Sequence, residues 1–131
     1  MTTNEEQKFF GTNRFGVHNG VTLIHVEPDH AVTGLTVRPE TLNPYGAIHG
    51  GAFFAMADSA AGAAARTDGR EYVTQCADIH FIRNQGSGTV RAESRVIHRG
   101  RATCLVNVEI KNEEDKLLAA GTLTFFCLTR E

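Results

Sequence analysis

The groups best suited to chemistry lie in the stretch NPYGAIHGGAFFAMADSAAGAAAR, Asn43–Arg66. Between Ala47 and Ala65 every residue is small or apolar except His49, Asp58 and Ser59. A carboxylate among apolar side chains costs several kcal/mol unless something compensates it, so Asp58 needs a reason to be there. His49-Gly50-Gly51 stands where a turn gives way to a helix-forming run. Backbone N–H groups at a helix start lack intrahelical partners and carry partial positive charge. Glycine lets a ligand approach that backbone, which suits an anion or a developing oxyanion. Asn43 adds an amide that both donates and accepts. Asp58 stands about 10 Å or more along the helix at ~1.5 Å per residue, too far to serve its own helix start. Cooperation between the two would run across a subunit interface, with Asp58 of one chain facing Gly50 of another.

Taken singly, each group has a plainer role. Asp58 could cap a helical segment starting at Ser59 or pair with an arginine. His49 could be a turn or core histidine. The combination of an Asn turn, His-Gly-Gly at a helix start and an acid on that helix carries more weight than its parts.

These groups need a rigid frame. Residues 51–66 hold no β-branched residue and no proline and are rich in alanine, which predicts a helix. Apolar residues on most of its sides predict that it is buried. Residues 21–24 and 31–37 read as strands around a Pro28-Asp29 turn. Period-two alternation recurs in 71–82, 89–97, 103–110 and 117–128. Val73, Ala77, Ile79 and Phe81 share one face of the first run, and Cys104, Val106, Val108 and Ile110 one face of the third. Short turns between the four runs predict an antiparallel meander. Residues 1–20 form an N-terminal segment with a short helix, and 21–131 a single domain. The fold class is α+β, one long central helix against one antiparallel sheet. Such a sheet leaves an open edge, so pairing with a second copy is expected.

The chain has 131 residues, 41% hydrophobic and 21% charged, with net charge −2. That composition suits one globular domain and offers no basic field for nucleic acid. Cys76, Cys104 and Cys127 show no CxxC spacing, and no Cys/His spacing marks a zinc site, so no metal is expected. The polar, acidic residues 1–8 do not read as a signal peptide, and no apolar run is long enough to span a membrane. A cytoplasmic setting follows as the expectation.

The set Asn43, Gly46, His49, Gly50, Gly51, Ala57 and Asp58 resembles the hotdog-fold acyl-CoA thioesterases of the phenylacetate-degradation (PaaI) type. VTQCADIHFIRN resembles the strand after that family's central helix, with Phe81-Ile82-Arg83 matching and Asn84 where proline is usual. HRGRATCLVNVEIKNEEDKLLAAGTLTF also has the family's shape, so the resemblance covers roughly residues 20–128. It implies a hotdog fold, with the helix wrapped by the sheet and paired with a second subunit. It implies a homodimer with composite sites, associating further as a dimer of dimers.

The resemblance also implies roles. Asp58 would be nucleophile or general base in hydrolysis of an acyl- or aryl-CoA thioester. The Gly50 N–H would polarise the carbonyl, with Gly51 beside it. Asn43 would orient water or thioester, and His49 would support the loop. A hydroxyl on the next strand would hold the water; Thr74 is the nearest match, with Gln75 and Cys76 as alternatives. Phe53, Phe54 and Phe81 are candidates for the acyl pocket. Arg83, Arg99 and Arg101 are candidates for the coenzyme A phosphates, no cofactor being needed beyond the substrate's own coenzyme A. A hydratase or dehydratase on the same fold fits poorly: Ala63 stands five residues beyond Asp58 where a His would follow, and His49 precedes Gly50 rather than Phe-Pro. A non-catalytic acyl-CoA sensor is the other alternative.

Overall fold

The computed structural model describes residues 2–129. Three helices, α1 (Asn4–Phe10), α2 (Arg14–His18) and α3 (Gly50–Ala65), accompany six strands. The strands are β1 (Thr22–Glu27), β2 (His30–Thr36), β3 (Tyr72–Phe81), β4 (Thr89–Arg99), β5 (Thr103–Asn112) and β6 (Leu117–Cys127). All strand pairs are antiparallel, in the order β1-β2-β4-β5-β6-β3.

The expected helix forms, and α3 is buried along most of its length. Its alanines let the sheet come close enough for side-chain hydroxyls to reach its main chain. Thr33 Oγ1 donates to the Met56 carbonyl at 2.8 Å, and Ser94 Oγ lies 2.9 Å from both the Ala60 and Ala31 carbonyls. These buried hydroxyls are satisfied, so they fix the helix on the sheet without a desolvation cost. Around them Phe53, Met56, Leu35, Val90, Val106, Ile110, Leu118 and Leu123 are all but fully buried, each contributing roughly 1.5–3 kcal/mol. The helix gives way to a 3₁₀ turn, Arg66–Asp68, stopped by Gly69 at φ +86°.

β4, β5 and β6 make the expected meander, but β3 does not join it beside β4. It pairs with β6 at the far edge, and β2 takes the place beside β4. The close backbone approach this needs falls at Gly121, where any Cβ would run into the Asp78 carbonyl. The face assigned to β3 is also corrected. A bulge between Thr74 and Cys76 leaves Gln75 without a partner. Thr74 then pairs with Phe125, Ala77 with Leu123, and Val73 with Phe126 on the opposite face. One inserted residue moves Thr74, not Val73, to the face shared by Ala77, Ile79 and Phe81.

The N-terminal segment forms two short helices rather than one. A Thr3/Glu6 capping box starts α1, and Asn13 caps α2. Both pack over α3: Phe10 is buried in the core, and Asn13 Nδ2 donates to Ser59 Oγ at 2.9 Å. Among the described residues no helix is long and apolar enough to cross a membrane.

Candidate active site

The loop before α3 is held mostly by its own polar groups. Asn43 Oδ1 accepts from the Tyr45 and Ala47 N–H groups at 2.9 and 3.1 Å, forming an Asx turn. His49 is the N-cap, and its Nδ1 accepts the Gly51 N–H at 2.8 Å. The Ala52 and Phe53 N–H groups both reach the His49 carbonyl. Of the first turn's donors, the Gly50 N–H alone is left without a partner among the described residues. Asn43 Oδ1 and His49 Nδ1 thus fix the shape of the loop, and the Gly51 N–H is committed to His49. The Phe81 ring lies 3.5 Å from where a Gly50 Cβ would stand, and Phe81 stacks obliquely on Phe53 with centroids 5.9 Å apart.

Asp58 is half-buried, and Thr74 Oγ1 donates to its Oδ1 at 2.6 Å. Of Thr74, Gln75 and Cys76, the bulge at Gln75 brings Thr74 to the carboxylate. Burial pushes the Asp58 carboxyl above the ordinary aspartate range, while the Thr74 hydrogen bond and the Arg66 charge pull it down. The plainer readings of Asp58 fail on geometry. α3 runs unbroken through Ser59, so no second helical segment begins there. Arg66 is felt by Asp58 through its charge but forms no ion pair with it among the described residues.

Asp58, Thr74 and Arg66 line a cavity of about 320 Å³ together with Phe9, Phe10, Asn13, Tyr72, Val73 and Phe125. Its floor is the helix, its wall β3, and its cover the N-terminal helices. Arg66 lies over the Phe9 ring, 4.9 Å from its centroid, and desolvation by burial lowers its affinity for the proton. A half-buried cation near an acid in a partly apolar cavity favours the ionised acid. Neither Arg66 nor the N-terminal aromatics carry a recognisable sequence signal, since α1 lies far from α3 along the chain.

The other candidates divide. Arg99 stands at the opposite end of α3 from Gly50 of its own chain, about 22 Å away at ~1.5 Å per residue. Its Nη1 donates to the Ala65 carbonyl at 2.7 Å and lies 2.9 Å from Asp68, and its Nη2 reaches Asp29 at 2.7 Å. It satisfies carbonyls at the helix C-terminus, where a cation complements the dipole. Arg101 follows in the same turn, held through its carbonyl by Arg70, and is likewise remote from Gly50 within the chain. Arg83 is exposed at the end of β3, close to Gly50 through Phe81, and its side chain makes no hydrogen bond or ion pair among the described residues. Phe53 is core at 1% exposure, whereas Phe54 and Phe81 are open to solvent at 40% and 57%.

Asn84, standing where proline is usual, has a role the chain order does not show. Its Nδ2 donates to the Ile48 carbonyl at 2.9 Å, and its Oδ1 accepts the Ile48 N–H at 3.1 Å. The chain three residues beyond β3 is thereby tied to the residue before His49.

With this geometry in view, the relatives are informative. Residues 45–119 match the Thioesterase superfamily. The chain is 33% identical over 101 residues to acyl-coenzyme A thioesterase PaaI of Escherichia coli, covering 76% of this chain and 72% of that one. A mutant of the phenylacetic acid degradation protein PaaI from Thermus thermophilus superposes with TM-score 0.83 at 34% identity, covering 88% of this chain and 99% of the other. A thioesterase from Streptococcus pneumoniae, crystallised with coenzyme A, superposes with TM-score 0.86 at 25% identity, covering 95% and 98%. These likenesses span the helix start, Asp58 and the sheet that carries Thr74, and on them the chain belongs to the thioesterase superfamily, with the hotdog fold.

Proposed function

We propose that this chain hydrolyses acyl-coenzyme A thioesters to free acid and coenzyme A, with Asp58 as nucleophile or general base. The observation that carries the reading is the Asp58 carboxylate, oriented by Thr74 at 2.6 Å and facing a partly apolar cavity. In this reading the thioester carbonyl points at the Gly50 N–H, the donor that the His49 cap leaves over. One such donor is worth about 2.7–4 kcal/mol, or ~10²–10³ in rate. Asp58 attacks the carbonyl carbon, or takes a proton from a water that does. The tetrahedral intermediate then expels the coenzyme A thiolate. With water as the nucleophile this gives the free acid directly; with Asp58 as the nucleophile a water then hydrolyses the acyl-Asp58 anhydride, releasing the acid and restoring the carboxylate. Arg83 offers the cation for the coenzyme A phosphates. The relative named as an acyl-coenzyme A thioesterase and the neighbour crystallised with coenzyme A support this substrate class.

The site is composite in this proposal. Gly50 and Asp58 of one chain are about 12 Å apart along the helix axis, so each serves the other's partner. The open edge β3 and the exposed Phe54, Val73, Phe81 and Ile82 support pairing of two copies there, with a further pairing of dimers.

The test is release of free thiol from a panel of short, medium, long and aryl acyl-CoAs. Gly50→Pro removes the lone N–H at the first helical position, where proline is tolerated, and His49 is already extended at ψ 138°. Gly50→Pro lowers turnover by about 10²–10³ and Asp58→Asn by at least about 10²–10⁴, and mixing their subunits restores part of it, because one site of each mixed dimer then holds both groups. Binding without turnover in the parent would instead make the protein a sensor. A failure of mixed subunits to recover would sink the composite site.

A further inference from the structure

The sheet carries a second chemical cluster away from Asp58. We infer that His25, Glu27 and His30 form a binding site for a divalent transition-metal ion of the zinc type. One donor atom from each lies within 4.8 Å of the others. His25 Nε2 is 3.4 Å from Glu27 Oε2, and His30 Nδ1 is 3.0 Å from Glu27 Oε1. Zinc bonds of about 2.0–2.2 Å to nitrogen and oxygen give tetrahedral edges of roughly 3.3–3.5 Å; the His25 pair falls in that range and the His30 pair a few tenths of an ångström below it.

The hairpin builds this arrangement by the same device that places Thr74. A bulge between Leu23 and His25 leaves Ile24 unpaired. Leu23 and Val26 therefore pair with Thr33 and Ala31 on the helix side, while His25 and Glu27 pair with Val32 and His30 on the outer face. Two ligands two residues apart on β1 and a third directly across on β2 share one rigid surface. No spacing rule for zinc sites marks this set in the sequence, which is why no metal is expected there.

A second observation points to a ligand. His30 Nδ1 is a buried nitrogen with no hydrogen-bond partner among the described residues. It lies close to Glu27 Oε1, but off the line an N–H···O bond requires. A buried ring nitrogen 3.0 Å from a carboxylate oxygen, with no well-formed hydrogen bond between them, is a pair that a shared cation would satisfy. Two imidazoles and one carboxylate select a borderline-soft metal over calcium or magnesium, which prefer all-oxygen shells. The fourth position faces solvent beside the half-exposed Glu27. Arg95, opposite His30 on β4, is the nearest cation in the ladder and is exposed. Bound metal would clasp the edge strand β1 to β2.

The experiment uses the full chain stripped with a chelator, Zn²⁺ in calorimetry and Co²⁺ in visible spectroscopy. One Zn²⁺ binds per chain, Co²⁺ gives the intense absorption of a tetrahedral site, and Zn²⁺ raises the melting temperature. His25→Ala, Glu27→Gln and His30→Asn each weaken binding by at least about tenfold, since losing even an outer partner of a ligand costs about 10–100-fold. His80→Asn, an exposed histidine on β3, leaves it unchanged. Arg95→Gln tightens it. Affinity falls in acid as the imidazoles protonate. If His30→Asn fails to fold, the two more exposed ligands carry the test. Binding that survives the variants, or no saturable binding at all, would mean the cluster is only a proton-bridged histidine–carboxylate pair.

Discussion

Asn84→Ala tests whether the loop that presents the Gly50 N–H is held from β3. The substitution removes the 2.9 Å bond given to the Ile48 carbonyl and the 3.1 Å bond accepted from its N–H. The N–H keeps a second acceptor, the Gln85 carbonyl at 3.1 Å, so that loss is partly covered. The carbonyl has no such reserve, and Ile48 is 1% exposed, so water does not easily replace the donor. Leaving a buried carbonyl unsatisfied costs about 1–3 kcal/mol. In a chain of this size that lowers the melting temperature by roughly 4–15 °C. The kinetic effect is larger than the thermal one implies. Gly50 is two residues beyond Ile48, and a displacement near 1 Å at the oxyanion costs up to about 10² in rate. The loss should fall in kcat, with KM little changed, because the donor acts on the transition state. Asn84→Asp keeps an acceptor and loses the donor, so it falls between. Asn84→Pro, which restores the usual residue, supplies no tether and behaves like alanine. Parent kcat and melting temperature in Asn84→Ala would refute the reasoning, and a change confined to KM would move Asn84 to the binding surface.

Other outcomes follow from the same geometry. Asp58→Asn lowers kcat by at least about 10²–10⁴ without loss of stability at neutral pH. The sign comes from burial, which raises the folded carboxyl's pKa: its stabilising share is present in acid and lost as pH rises through that value, and asparagine escapes the loss. Thermal unfolding of the two proteins across pH checks this. Thr74→Val removes a bond that favours the ionised form, so the acid limb of kcat/KM moves to higher pH, while Thr74→Ser leaves it in place. Arg99→Ala destabilises by about 1–3 kcal/mol and leaves KM for acyl-CoA unchanged, because Arg99 satisfies the Ala65 carbonyl at the helix end, while Asp68 keeps Arg70 and Tyr72. Burial works to raise the Asp68 pKa, but hydrogen bonds from Tyr72 and Arg70 and the Arg99 charge hold it at about 2. That pairing stabilises the parent above pH ~4 and is lost as pH falls towards 2, an acid sensitivity that should shrink in Arg99→Ala.

What the chain determines by itself is local. Alanine content without β-branched residues makes α3 a helix, and the His-Gly-Gly run places its start. Strict alternation in 103–110 puts Cys104, Val106, Val108 and Ile110 inside. An acid among apolar residues singles out Asp58. These are statements about intrinsic preference and period, and they need no knowledge of neighbours. Tertiary structure decides who stands beside whom. Period-two patterns name faces but not partners, so β3 lands beside β6 rather than β4. A single unpaired residue inverts a strand's phase, so only the bulges at Gln75 and Ile24 settle that Thr74 meets Asp58 and that His25 and Glu27 face outward. Arg99 reads as a surface turn charge until the end of α3 arrives beneath it with carbonyls to satisfy. Asn84 reads as a departure from pattern until Ile48 comes within hydrogen-bond distance. For Arg99 and Asn84 the deciding partner lies more than thirty residues away along the chain, beyond the range of any local rule.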